Sequence, residues 1–245
     1  MSTVSVLSRR GLAGRTGRGI RVAVIDTGIH ADHPHVAGIS GGVAIDADGA
    51  MTDDVVDRLG HGTAVAAAIR EKAPDVDLIA VKVFDRRLVT TGVALVEGIT
   101  WAAAQDVHII NLSLGTSNPA HSDGLAGAVA LANVAGAVVV AAGSQPGANW
   151  LPGSLAGVVA VDVDWMCPRD ECRVTVREDG SVRLRTSGYP RPIPGVAVEQ
   201  NVSGLSFAVA NASGFLSLLL ERPETSGSAV RGLPALSALL QRGSR

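Results

Sequence analysis

The chain has 245 residues, of which 47% are hydrophobic and 18% are charged, and its formal net charge is −2. A chain of this size can bury one substantial core, and arginines scattered among carboxylates give no reason to expect a nucleic-acid partner. The longest strongly apolar run, at 134–143, is too short to cross a bilayer, so we expect no membrane partner.

The first segment, residues 1–18, carries four arginines and no uninterrupted apolar stretch of the kind that a secretory signal requires. We expect a flexible basic tail here, in preference to an organelle transit peptide. Only Cys167 and Cys172 are present, either as one small hairpin disulfide or as two free thiols. Because this is no disulfide framework of the secreted kind, a reducing, cytoplasmic location fits best.

Five short runs of nearly continuous apolar residues predict strands that are buried on both faces, as in a parallel sheet. They lie at 20–26, 76–84, 107–114, 136–143 and 157–164. Helical periodicity at 93–105 and 124–136 separates some of them. The alternation predicts an α/β fold with three layers and a doubly wound, mostly parallel sheet, whose sites form beyond the carboxyl ends of the strands.

The residue pattern changes at 165–188, where polar and apolar residues alternate around "EDG". This pattern predicts a small antiparallel hairpin inserted at the margin of the sheet. We expect one α/β domain over 19–222. Residues 223–245 are expected to form a linker and a short amphipathic helix, packed on the same domain through Leu233, Leu236, Leu239 and Leu240.

Three polar residues are candidates for proton transfer or nucleophilic attack because of their positions, and each also has an ordinary structural explanation. Asp26 ends the first strand in "VAVIDTG", although Asp before Thr-Gly is a common turn former. His61 lies between glycines in "GHGTAVAAAI". A lone histidine is more often a structural residue, but the glycines leave this imidazole uncrowded and able to exchange protons. Ser206, in "SGLSFAVANASG", starts a helix either as a nucleophile at its positive end or as its cap, and the stretch alone favours the cap.

Five motifs occur in an order and spacing that resemble the subtilisin-like serine proteases, the subtilase family: "VAVIDTGI", "GHGTAVAA", "INLSLG", "VVAAGS" and "SGLSFAVANASG". The resemblance implies that Ser206 attacks the substrate carbonyl, His61 transfers its proton, and Asp26 orients the imidazole. It also implies a substrate-binding strand, whose backbone pairs with an extended peptide, at Ser113, Leu114 and Gly115. Asn111 is expected to support this strand, or simply to make a structural hydrogen bond.

The chain also departs from the family pattern. Ser144 stands where the family has an oxyanion-binding Asn, while the second oxyanion donor, the Ser206 backbone N–H, is unaffected. Because losing one such donor costs about 10²–10³ in rate, we expect a slow or specialised protease. Ala64 and Ala210-Asn211 replace customary His and Pro-His residues, which we interpret as repacking. Phe207 directly follows Ser206, and a phenylalanine at this position resembles the pattern of the cyanobactin-type subtilases of peptide maturation.

We expect no metal and no cofactor. The histidines of "HADHPH" (His30, His33 and His35) are interpreted as solvated turn residues, and the short loop after the His61 helix lacks the family's tight calcium loop. Only 25 residues precede Asp26, fewer than the family's folding prodomain needs. Both features suit an intracellular member, although a chain from which the prodomain had been removed would look the same.

The sequence therefore predicts a serine endopeptidase of the subtilisin type that acts on a peptide or unfolded protein through an acyl-enzyme on Ser206. The alternative is a degenerate subtilase that binds peptides without cleaving them. A nucleotide-binding module is disfavoured because neither "GxxxxGK" nor a strand-linked "GxGxxG" occurs. Water or an amine could attack the acyl-enzyme, so hydrolysis and cyclisation both remain open.

Overall fold

The computed structural model describes residues 2–143, 150–221 and 230–242. Its strands are β1 (Thr3–Ser8), β2 (Arg21–Asp26), β3 (Gly42–Ile45), β4 (Met51–Thr52), β5 (Asp77–Lys82), β6 (Ile109–Leu112), β7 (Val138–Ala142), β8 (Val158–Val163), β9 (Glu171–Val176) and β10 (Val182–Thr186). Its helices are α1 (His61–Lys72), α2 (Gly92–Ala103), α3 (Ser122–Val134), α4 (Leu205–Leu220) and α5 (Leu233–Arg242).

The strands form one sheet in the order β1-β9-β10-β8-β7-β6-β2-β5-β3-β4. From β10 to β3 along this order, every two adjacent strands are parallel. Among the strands described, the antiparallel pairs are β1 with β9, β9 with β10 and β3 with β4. Each of the five strands predicted from apolar runs lies in this parallel part. The predicted mostly parallel sheet is therefore confirmed.

Successive residues of the central strands point into two separate apolar clusters, one on each face of the sheet. Val24 and Val140 join the cluster that contains α1, α4 and α5 residues. Ala23 and Val139 join the cluster that contains α2 and α3 residues. Burial on both faces explains why these strands are continuously apolar, and the predicted three-layer architecture is confirmed.

Residues 3–8 correct the expectation of a flexible tail over 1–18. They form β1, which pairs antiparallel with β9 from Thr3 opposite Val176 to Ser8 opposite Glu171. The segment "TVSVLS" contains β-branched residues with strand propensity, but the strand it pairs with lies far along the chain. Its Arg- and Ser-rich surroundings concealed this pairing in the sequence.

The predicted hairpin is formed by β9 and β10. It extends the sheet because β10 pairs parallel with β8, and β1 then covers its outer strand. Near the other end of the chain, α5 buries Leu236 and Leu240 and contacts β9. Within the residues described, no helix is both long and apolar enough to span a membrane.

Close packing of α1 against α4 brings their first turns together at the carboxyl edge of the sheet. The His61 and Phe207 rings, both near the helix starts, have centroids 5.8 Å apart. Further along, a Cβ on Gly214 would lie 2.6 Å from the Lys72 Cβ, so only glycine fits there. The small residues of both helices therefore permit the contact that positions their N-terminal ends.

Candidate active site

The candidate site begins at the carboxyl end of β2, which ends at Asp26. The carboxylate is 1% exposed. Its Oδ1 accepts hydrogen bonds from the Thr27 backbone N–H at 2.8 Å and from the His61 Nδ1–H at 2.7 Å. Because the Nδ1–H is donated to Asp26, the opposite ring nitrogen, Nε2, is free to act as a base.

The loop before α1 delivers His61 to this carboxylate. Gly60 takes a left-handed conformation, with φ of 82°, immediately before the helix. Gly62 packs against the turn after β2, so closely that a Cβ on Gly62 would lie 2.2 Å from the Gly28 carbonyl oxygen. The two glycines that flank His61 are therefore required by the backbone.

The charge on Asp26 tunes the imidazole that it holds. Burial lowers the pKa of His61, but the hydrogen bond and charge of Asp26, with a smaller contribution from the charge of Asp57, raise that pKa above its ordinary value overall. The ring side chain remains 26% exposed. A partly accessible imidazole with a raised pKa can both take up and release a proton.

Ser206 is the second residue of α4, and the cap interpretation is wrong. The residue before the helix is Gly204, and none of the side chains described caps this end. The Ser206 Oγ instead donates to the Ser113 carbonyl oxygen at 3.0 Å. A residue in the first helical turn has no intrahelical acceptor for its backbone N–H, so the Ser206 N–H remains available to a ligand.

A buried chain of hydrogen bonds supports the segment beside Ser206. The Ser113 Oγ donates to the Ser206 carbonyl oxygen at 3.1 Å and accepts from the Asn111 Nδ2 at 3.0 Å. The Asn111 Oδ1 accepts from the Ser213 Oγ at 2.9 Å. Asn111 therefore links the end of β6 to α4, as both alternatives for this residue anticipated.

One cleft of about 450 Å³ unites these groups. Its lining includes Asp26, His61, Ser113, Leu114, Gly115 and Ser206, together with apolar side chains of Phe84, Leu88, Val89, Leu95 and Trp150. Across the described ranges, no backbone hydrogen bond uses the N–H or carbonyl of Leu114 or Gly115. This short edge is free to pair with an extended chain.

The nucleophile and base are not hydrogen-bonded to one another in this arrangement, as far as the described residues go. The single proton of the Ser206 hydroxyl is donated to Ser113, so it cannot at the same time be donated to His61. Rotation of one side-chain torsion would redirect it. Catalytic hydrogen bonds are often incomplete without substrate, so the arrangement is compatible with an active enzyme.

The residues that depart from the family pattern have different outcomes. Ser144 lies outside the described residues. Ala210 is fully buried, and the Asn211 Nδ2 donates to the carbonyls of Ser187 and Tyr189 at 2.9 and 3.0 Å. Asn211 thus anchors the loop that leads towards the nucleophile.

The remaining candidates take no part in the cleft. The rings of His33 and His35 contact edge to face, with centroids 5.1 Å apart, while His30 is exposed. Over the part of the chain described here, no group of three or more His, Cys, Asp or Glu residues could hold a metal. Cys167 and Cys172 are buried free thiols, which resolves the alternative left open for them.

Sequence reasoning missed Asp57, a buried carboxylate in the loop before α1. It accepts hydrogen bonds from both Thr27 and Thr63, which follow Asp26 and His61 closely in the chain. The available signal was an acidic residue four positions before the glycine-flanked histidine, in "DRLGHGT".

A family model described as the subtilase family, Peptidase_S8, matches residues 17–161, which is more than half of the chain. The chain belongs to the subtilase family. The matched residues include Asp26 and His61 and end before Ser206.

Curated subtilases align over most of the chain. The thermostable alkaline protease of Halalkalibacterium halodurans is 33% identical over 89% of this chain and 62% of its own length. Alkaline elastase YaB of a Bacillus species is 34% identical over 82% of this chain and 52% of its own length. This subtilase thus spans less than two thirds of these relatives.

Solved structures of proteases share the fold. The protease domain of PatA superposes with a TM-score of 0.65 at 24% identity, covering 91% of this chain and 86% of that domain. The prenylagaramide maturation protease PagA gives a TM-score of 0.66 at 23% identity, covering 92% of this chain and 83% of its own. At such identities the likeness concerns the fold.

Proposed function

We propose that this subtilase is a serine endopeptidase that cleaves peptide bonds through an acyl-enzyme on Ser206. The observation that carries the proposal is the 2.7 Å hydrogen bond between Asp26 and His61, in a cleft that Ser206 also lines. Acid, base and alcohol thus meet at one edge of the parallel sheet, where α/β proteins form their sites.

The proposed reaction uses these groups in sequence. The Ser206 Oγ attacks the substrate carbonyl carbon while its proton passes to the His61 Nε2, and Asp26 stabilises the imidazolium through Nδ1–H. His61 then protonates the leaving amine, which departs as the peptide C–N bond breaks and the acyl-enzyme forms. Water attacks the ester, loses a proton to His61, and the acid product leaves as Ser206 recovers its proton.

Two donors are proposed for the oxyanion. The Ser206 N–H lies in the first turn of α4, where the helix dipole also favours negative charge. Ser144 would be the second donor, and its shorter hydroxyl is our reason for proposing a slow or specialised enzyme. Ser144→Asn should therefore raise turnover, by up to about 10²-fold, and unchanged turnover would remove this residue from the oxyanion site.

We propose a peptide or unfolded segment as substrate, held in extended form along Ser113, Leu114 and Gly115. The backbone groups of Leu114 and Gly115 make no backbone hydrogen bond with any residue described, which supports this binding mode because main-chain hydrogen bonds recognise an added strand. Part of the cleft wall is apolar, beside Thr90, Thr116 and His121, and this part favours an apolar substrate side chain.

A peptide-maturation role, and a cytoplasmic location, are further proposals. Phe207 after the nucleophile supports the first, and one fold neighbour is described as a maturation protease. Two buried free thiols support a reducing compartment. Product masses from a defined peptide would distinguish hydrolysis, which adds one water, from cyclisation, which adds none.

The alternative function is a peptide-binding subtilase that no longer cleaves. The hydrogen bond from Ser206 to Ser113, which occupies the hydroxyl proton, is the observation that favours it. Digestion of an extended-peptide library, followed by mass spectrometry, tests the two. New termini made by the wild type and lost in Ser206→Ala support the protease, whereas peptide retention without new termini supports the binding module.

A further inference from the structure

A buried carboxylate outside the proposed triad organises the first turn of α1. Asp57 is 9% exposed. Its Oδ1 accepts from the Thr27 Oγ1 at 2.8 Å and from the N–H groups of Leu59 and Gly60 at 2.9 and 2.8 Å. Its Oδ2 accepts from the N–H and Oγ1 of Thr63 at 2.9 and 2.6 Å. One side chain therefore satisfies donors on both sides of the catalytic histidine.

Thr27 connects this carboxylate to the acid of the triad. Its backbone N–H donates to the Asp26 Oδ1 at 2.8 Å, and its Oγ1 accepts from the Gly62 N–H at 2.8 Å while donating to Asp57. The fully buried Thr27 hydroxyl thus joins the segment that begins at Asp26 to Gly62, the residue after His61. Displacement of Asp57 would loosen both segments together.

Asp57 also contributes charge. Burial raises the pKa of Asp57, but hydrogen bonds from Thr63, Thr27 and nearby backbone N–H groups lower that pKa below its ordinary value overall, so the group is ionised at neutral pH. Asp26 and Asp57 are the two charged groups that raise the pKa of His61.

We propose that Asp57 is a positioning residue, which holds the His61 imidazole against Asp26 through Thr27 and the first turn of α1. The inference rests on the proposed triad. A displacement of about 1 Å at a catalytic group can cost about 10²-fold in rate, so a loosened turn acts on kcat rather than on substrate binding.

The test is Asp57→Asn, which preserves shape but removes the charge and places an NH₂ group among N–H donors. We expect kcat to fall about 10- to 100-fold, with KM within about 2-fold of wild type. The acid limb of the kcat/KM profile should move to lower pH, because one of the two charges that raise the pKa of His61 is removed. Asp46→Asn is the matched control.

Asp46 suits this purpose because its exposed carboxylate also accepts two backbone N–H bonds, from Asp48 and Ala50, and among the described residues no hydrogen bond joins it to a triad residue. Its variant should keep wild-type kcat and the wild-type acid limb. Thr27→Val breaks the same network at nearly constant volume and should share the kcat loss, whereas Thr27→Ser should restore it. Asp57→Asn combined with Thr27→Val should lose less than the product of the two separate losses.

Circular dichroism identifies the folded variants, and Thr27→Val decides the matter if Asp57→Asn does not fold. A folded Asp57→Asn enzyme with wild-type kcat, or with reduced kcat and an unmoved acid limb, overturns the inference. A folded Thr27→Val enzyme with wild-type kcat does the same. If the wild type itself cleaves no faster than Ser206→Ala, the proposed function has failed, which is a distinct result.

Discussion

Arg15 lies in the segment that the sequence presented as a flexible tail, yet it holds the end of the helix that carries Ser206. Its Nη1 donates to the carbonyls of Leu218, Leu219 and Glu221 at 3.0, 2.9 and 3.1 Å. These carbonyls lie in the last turn of α4 and just after it, where helices leave acceptors unpaired. A cation there also opposes the negative end of the helix dipole.

Replacement of Arg15 by Ala should therefore destabilise the fold. Hydrogen bonds to charged groups contribute about 1.5–3 kcal/mol, and the dipole interaction adds a few tenths, so we expect a loss of about 2 kcal/mol. In a chain of this size the melting temperature should fall by about 4–8 °C. A disordered tail would give no change.

Urea unfolding measures this loss, and a Ser206→Ala background prevents self-digestion during the experiment. Arg10→Ala is the matched control, because the Arg10 side chain is exposed and makes no hydrogen bond or ion pair with any described residue. If Arg15→Ala and Arg10→Ala both unfold within about 0.5 kcal/mol of the parent, the anchoring role of this segment is refuted.

Three more outcomes are expected elsewhere in the molecule. His61 must be neutral to act as a base, so kcat/KM should fall as the pH decreases. Because the pKa of His61 is raised, the midpoint of this fall should lie above about 6.5. A midpoint below this value would contradict the Asp26 contact. Gly62→Ala forces a Cβ against the Gly28 carbonyl and should cost about 2 kcal/mol or more in urea unfolding. Gly127→Ala should be neutral or stabilising, because no described atom outside its own helix lies within 4 Å of the added Cβ. Burial raises the pKa of the Cys172 thiol, so iodoacetamide at pH 8 should modify it only after denaturation, and rapid modification of the folded protein would contradict its burial.

The central sheet could be predicted because its strands are buried on both faces, which leaves a continuous apolar run in the sequence. β1 could not be predicted in this way. It pairs with β9 across more than 160 residues. Its Val4 and Val6 are exposed at the edge of the sheet, so they do not form the continuous apolar run that marks a strand of the core. β4, with two residues, is too short for any periodic pattern.

The site was predictable only as far as its individual residues carried a signal. Motif order and the family resemblance indicated which residues to combine. That Ser206 does not cap α4 is visible only in the structure, where Gly204 precedes the helix and the Ser206 Oγ donates to Ser113, 93 positions away. The role proposed for Asp57 likewise depends on Thr27, a contact across 30 positions that no local pattern contains.

The most direct test of the proposed triad is the mapping of a fluorophosphonate adduct by mass spectrometry. A phosphonate reacts with a serine that a neighbouring imidazole activates, and helix-capping serines remain unmodified. The account predicts one adduct, on Ser206 of the folded wild type, that is lost in His61→Ala and retained in Asp46→Asn. Absence of an adduct on folded wild-type protein, or equal labelling of the His61→Ala variant, would contradict it.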